Sequence, residues 1–200
     1  MEFDHYAIDA GLSTLSIRAF ASSAFAVSEN SPTLAIREFA GWARFVPRTF
    51  DQAYVHTKVN PGSLTVVESI AEEDRNAIEH TIRRSVLEID KYPEVVFCSS
   101  RVSVNRAGDG QYWINLVGNL SLHGVTGVLP VAAQVAVAGN TLRVHGEFTF
   151  LRTIYKMKLV PASIGTLKLK DEVKCSFDIL AHKQPDLATQ ESFIFAREGF

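Results

Sequence analysis

Apolar and polar residues alternate along much of the chain. Leu15, Ile17 and Ala19 are interleaved with Thr14, Ser16 and Arg18. Tyr112, Ile114, Leu116, Gly118, Leu120 and Leu122 share one phase, with Asn115, Asn119, Ser121 and His123 on the other beside Trp113 and Val117. Leu142, Val144, Gly146, Phe148 and Phe150 oppose Arg143, His145, Glu147 and Thr149; Val173, Cys175, Phe177 and Ile179 oppose Lys174, Ser176 and Asp178. Successive side chains of a strand point to opposite sides, so each run predicts one buried and one solvated face. Ala107-Gly108-Asp109-Gly110 and Gly139-Asn140 carry hairpin chemistry between the runs. A meander of long antiparallel strands of this kind predicts a barrel or a sandwich.

One segment has helical spacing. Ile78, Ile82, Val86 and Ile89 form an apolar stripe, predicting a helix over about 70–91 that lies on a barrel rim or mouth. Ser69 and Glu72 fit a capping box, and Glu72, Glu73 and Asp74 suit the positive end of the helix dipole. The helix must stop before Tyr92-Pro93, because the residue preceding a proline is pushed out of the α region. Beyond Ala181 the alternation ends. Residues 1–183 are therefore read as one barrel domain and 184–200 as a tail, whose Phe193, Ile194, Phe195 and Phe200 suit either a frayed end or a cover for a mouth or subunit contact.

Composition narrows the class. The 200 residues are 46% hydrophobic and 21% charged, as in an ordered globular domain, and the net charge of −2 leaves no basic footprint for nucleic acid. No basic-then-apolar leader follows Met1, and the apolar stretch 125–137 is interrupted by Gly127, Pro130 and Gln134, so neither a signal nor a transmembrane segment is expected. Cys98 and Cys175 fall on opposite strand phases and are read as free thiols, which together with the missing leader points to the cytoplasm. The histidines form no metal-ligand pair by spacing, though His56 and His145 lie in strands that would have to meet across a wall to make one. His123-Gly124 is read as a turn with a hydrogen-bonded histidine, since no Ser or Asp stands at triad spacing. Arg83-Arg84 suits a phosphate headgroup at a mouth or a solvated helix face equally well.

Two blocks carry a family resemblance. Tyr92-Pro93-Glu94-Val95-Val96-Phe97-Cys98-Ser99 and Gly118-Asn119-Leu120-Ser121-Leu122-His123-Gly124-Val125-Thr126 resemble motifs of the YceI-like proteins, the lipocalin-like polyisoprenoid binders. Tyr6-Ala7-Ile8-Asp9 with Ser13, Phe39-Ala40-Gly41 and Asn60-Pro61-Gly62-Ser63-Leu64 are similar in order, so the resemblance runs from about Tyr6 to Ala181. It departs at Leu12, where the family has His, at Asn119, where it has Asp, and at Thr153-Ile154-Tyr155-Lys156-Met157, where an Asp and a Gly are lost. That turn is expected to differ in shape or in what it contacts, because Gly permits angles that Lys does not.

The resemblance implies an all-β, extended eight-stranded antiparallel barrel with one inserted helix and a tunnel, and a protein that binds, transports or stores an apolar chain-like lipid such as a polyisoprenoid or isoprenoid quinone. Val95, Phe97, Ile114, Leu116, Leu120, Val144, Phe148 and Phe150 are candidate lining residues, with Ser99 sharing the face of Phe97 and Gly118 leaving room for a ligand. The same residues would also serve as plain core filling. Neither catalysis nor a cofactor nor a metal is expected. The alternative is a plugged barrel that acts by interaction, as a homodimer formed through its surface or tail. An enzyme acting on a lipid-like substrate, with His123 and Tyr155 as its candidate groups, is the third reading.

Overall fold

The computed structural model describes residues 3–21, 32–158 and 168–185. The N-terminal half forms short strands: β1 (Asp4–Ile8), β2 (Thr14–Ala21), β3 (Leu34–Ile36), β4 (Phe39–Phe45), β5 (Tyr54–Val59) and β6 (Leu64–Val66). The chain that follows forms long ones: β7 (Val95–Gly108), β8 (Gln111–Leu122), β9 (Val125–Ala138), β10 (Thr141–Leu151) and β11 (Lys168–Lys183). Strands β1, β4, β5, β7, β8, β9, β10 and β11 hydrogen-bond in that order, and β1 returns to β11 to close an eight-stranded antiparallel barrel. Strands β2, β3 and β6 extend the wall from β11.

The short strands are halves of long ones. β11 faces β1 over residues 181–183 and β2 over 168–178, so β1 and β2 run along the same neighbour with a break between them. At that break Asp9 Oδ1 accepts from the N–H of Gly11 (3.0 Å) and Leu12 (3.2 Å). The Ser13 hydroxyl donates to Asp9 O (2.6 Å) and accepts from Leu180 N–H (2.9 Å) on β11. The break between β5 and β6 repeats the device. Asn60 Oδ1 accepts from Gly62 N–H (2.8 Å), while the Ser63 hydroxyl accepts from the N–H groups of Arg37 (3.2 Å) and Glu38 (2.9 Å), which link β3 to β4. A polar side chain thus takes up the backbone groups that each kink frees from the ladder.

Strand β5 pairs with β7, but β6 pairs with β3 and, among the described residues, with no strand on its other side. The chain between β6 and β7 covers this gap with α1 (Glu72–Thr81), continued by a π-helical turn over Ile82–Val86. Ile78 and Ile82 pack against Leu34, Ile36, Leu64, Val66, Val173 and Cys175, and Val86 joins the main barrel core. Glu79, 8% exposed, accepts from Val66 N–H (2.9 Å) on the open edge and from Arg83 Nη2 (3.0 Å). Arg83 also donates to Leu64 O. One partly buried ion pair therefore supplies both the acceptor and the donor that a neighbouring strand would have offered.

Three expectations are corrected here. The helix spans 72–86 rather than 70–91, because Glu88 takes a left-handed conformation (φ 47) and ends it four residues before Tyr92. Ser69 is not the cap: Ala71 holds that position without a side-chain bond, and the acidic first turn faces the helix dipole instead. Arg83 is bonded to Glu79 and Leu64, and Arg84 to Asp90, so neither is a free headgroup contact.

Replacing Glu79 by Ala is expected to destabilise the fold by about 2–4 kcal/mol, since it strands both Val66 N–H and the Arg83 guanidinium. The equivalent change at exposed Glu73 should stay within about 0.5 kcal/mol, both read from urea midpoints.

Candidate functional site

Closing the sheet brings the inward phases of its strands around one elongated apolar cavity of about 310 Å³. At one end Phe45 stacks between Tyr6 (5.4 Å) and Phe50 (4.6 Å), and Phe50 meets Tyr112 edge-on (4.5 Å). At the other end the cavity is bounded by Ile82, Val86 and Leu87 of the helical segment and by Arg152 and Met157. The lumen is not filled by side chains. At roughly 24 cal/mol per Å³, leaving about 310 Å³ empty would cost about 7 kcal/mol, comparable with the whole stability of many domains. A cavity of this size and lining is the kind that small apolar molecules occupy.

Of the ten candidate residues, Val95, Phe97, Ile114, Leu116, Leu120, Val144, Phe148 and Phe150 line the cavity. Ser99 and Gly118 do not. The Ser99 hydroxyl accepts from Val55 N–H (2.8 Å), tying β7 to β5 at the wall. A Cβ on Gly118 would fall 2.5 Å from the Phe97 ring, so the space that the glycine leaves is taken by Phe97 rather than open to a ligand.

The alternation reading passed over most of β9. Leu129, Val131 and Val135 line the cavity, but the outward positions Val128, Pro130, Ala132 and Ala136 are also apolar or small, which erases the period-2 contrast. Arg152 was missed as well. It continues the inward phase of Leu142 to Phe150 one position beyond β10, a signal present in the sequence but hidden by the end of the strand. Arg44 also borders the cavity, but its guanidinium lies over the rings of Phe3 (5.4 Å) and Tyr54 (5.9 Å).

His123 and Gly124, both left-handed (φ 52 and 73), form the two-residue turn between β8 and β9. His123 is 7% exposed; its Nδ1 lies 3.1 Å from Tyr155 O and its Nε2 2.7 Å from Glu88 Oε2, with the Tyr92 ring tilted against it at 4.4 Å. Both ring nitrogens thus have a partner from another part of the chain. The imidazole links three chain segments and is wholly occupied by structure. Burial raises the Tyr155 phenol above its ordinary range, which keeps it neutral. His56 stacks on Trp42 (6.0 Å) while His145 is exposed opposite Asp178 on β11, and no group of three or more His, Cys, Asp or Glu is gathered to hold a metal among the described residues. No helix there is long and apolar enough to cross a membrane. The proposed cover from the tail concerns residues 186–200, outside the described residues.

In the turn expected to differ in shape or in contacts, Lys156 itself takes the left-handed conformation (φ 55) that glycine favours, and its N–H closes the turn on Arg152 O and Thr153 O. The cost falls on Lys156, since a Cβ in that region is disfavoured by about 1 kcal/mol.

The YceI-like domain family model matches residues 6–181. No curated protein matches the chain. Among solved structures, BcnA of Burkholderia cenocepacia is similar with a TM-score of 0.66 at 18% identity, over 86% of this chain and 98% of that one. A polyisoprenoid binding domain from Saccharophagus degradans gives 0.64 at 14% identity, over 90% and 98%. The Campylobacter jejuni YceI protein gives 0.58 at 10%, over 80% and 90%. At these identities the three structures establish a shared fold.

Two outcomes test the site's description. Lys156→Gly is expected to raise stability by about 0.5–1 kcal/mol by relieving the left-handed Cβ, visible as a higher denaturant midpoint. Burial pushes the Cys175 thiol up to about 12, so it stays neutral at pH 8; native protein should be alkylated by iodoacetamide at Cys98 alone, and at both cysteines in urea. The folded value lies above the unfolded one, so this group's contribution to stability is present below the ordinary thiol range and fades as pH rises toward 12.

Proposed function

The chain belongs to the YceI-like family, and from that premise we propose that it binds an apolar, chain-like lipid inside the barrel, as a carrier or store and without catalysis. A polyisoprenoid or isoprenoid quinone is the proposed class, supported by the polyisoprenoid binding domain among its structural neighbours. The observation that carries the reading is the unfilled lumen, whose lining from Phe45 and Phe50 to Ile82 and Met157 is almost entirely aliphatic or aromatic. Each CH₂ moved from water into such a lining gains roughly 0.8 kcal/mol, so a long tail binds without any reacting group. Val95, Phe97, Ile114, Leu116, Leu120, Val144, Phe148 and Phe150 are the proposed contacts. Contact with the empty wall also offsets part of the cavity's cost, which makes bound lipid a stabiliser of the fold.

A second reading, self-association, is favoured by the outer wall. Trp113 and Val128 are 51% and 71% exposed on the outward phases of β8 and β9. Mass in solution, compared between wild type and a Trp113→Glu, Val128→Glu variant, tests it.

For the lipid reading, purified protein is incubated with mixed prenyl lipids and analysed by native mass spectrometry. One lipid per chain is expected, with a higher thermal midpoint. Val131→Phe, which fills the lumen, should cut binding at least about tenfold while leaving the fold intact. Wild-type protein that takes up no lipid at any ratio would sink the proposal.

A further inference from the structure

One charged side chain interrupts the apolar lining at the helix end of the cavity. Arg152 is 5% exposed. Its Nη1 donates to Met157 O, and its Nε is buried with no hydrogen-bond partner among the described residues. The nearest carboxylate, Asp171, stands 3.8 Å from Nη2, beyond hydrogen-bond distance. Both Asp171 oxygens are already taken, Oδ1 by Thr153 N–H (3.0 Å) and Oδ2 by the Thr153 hydroxyl (2.9 Å), and the residue is 43% exposed, so solvent screens it. The chain from 159 to 167, which joins this turn to β11, contains no acidic residue.

A guanidinium presents five N–H donors and cannot shed its charge. Buried against a low-dielectric wall with one carbonyl and one distant, committed carboxylate, it is under-compensated. Arg75 and Arg83 also carry a buried Nε without a partner among the described residues, but both side chains are only partly buried: Arg83 holds Glu79 and Leu64 O, and Arg75 donates to Glu68 O (3.3 Å). Neither guanidinium is needed inside the lumen. Arg152 stands on the lumen-facing phase, two positions after Phe150.

We infer that Arg152 is the headgroup subsite of the lumen and that the ligand is a single-tailed amphiphile with a terminal oxyanion, its tail lying along the barrel toward Phe45 and Phe50. This rests on the lipid reading above and adds to it the polarity and the orientation of the ligand. A monophosphate or carboxylate oxygen reaching the guanidinium supplies an acceptor and the negative charge that the described residues leave out, and a bond between two charged groups in a dry site is stronger than a neutral one.

The test compares farnesyl phosphate, farnesol and inorganic phosphate by isothermal titration against the full chain. Farnesyl phosphate is expected to bind at least about tenfold more tightly than farnesol. Inorganic phosphate should neither bind measurably nor displace farnesol. Equal affinity for the two prenyl compounds overturns the subsite while leaving the lipid reading standing. Inorganic phosphate binding as tightly as farnesyl phosphate overturns it too, since the tail would then contribute nothing. Failure of both prenyl compounds to bind removes the lipid reading and this inference with it. In Arg152→Met the preference for the phosphate should vanish, with farnesol affinity kept within about twofold; a preference that survives in folded Arg152→Met overturns the assignment. If near-ultraviolet circular dichroism shows that this variant does not fold, Asp171→Asn decides: removing the neighbouring negative charge should widen the preference by about two- to fivefold, and an unchanged or narrowed ratio counts against Arg152.

Discussion

A sheet that closes on itself places one side of every strand in a space from which water is largely excluded. In this protein that geometry depends on β11, which is long enough to serve β10 along one edge and both β1 and β2 along the other. The ring is thereby shut without an exposed edge around most of its circumference. The remaining features answer to this closure: the kinks, the helix over the gap, the aromatic end and the lumen.

Where the ring does not shut by strand pairing, it is shut by side chains. The edge of β6 meets α1 rather than β7, and Glu79 with Arg83 replaces the missing ladder bonds. Asp9 with Ser13, and Asn60 with Ser63, do the same for the backbone freed at the strand breaks. Each is a local solution to one rule, that a buried peptide group must find a partner. The helix can leave the barrel core open only because its own edge contacts are satisfied in this way.

The price of an open lumen is packing energy. A void of about 310 Å³ forgoes contacts that a filled barrel would make, and stability must come from the wall and from the Tyr6, Phe45, Phe50 and Tyr112 ring cluster at one end. The cavity is therefore also a place where packing is given up. A ligand that fills it acts on stability and occupancy together. The buried cation at the other end gives the cavity a polarity, apolar and aromatic toward Phe45, positive toward Arg152.

Strands β2, β8, β10 and β11 were legible in the chain, because alternation is a property of consecutive residues and one face of each is clearly polar. The helix was legible for the same reason from Ile78, Ile82 and Val86, and eight of the ten candidate residues lie on inward phases that reach the cavity. Strand β9 was partly hidden, since Val128 and Pro130 make its outer face apolar too. The rest was decided by contacts between residues far apart in sequence. Gly118 gives its space to Phe97 across β7 and β8; His123 is held by Glu88 and Tyr155; Ser99 bonds to Val55; and Glu79 serves the edge of β6. Lys156 keeps a left-handed turn that its side chain disfavours, because the contacts of that turn outweigh the local cost. Periodicity tells which side of a strand is dry. Only closure of the barrel determines which groups then meet, and which of them, like Arg152 Nε, are buried without a partner among the described residues.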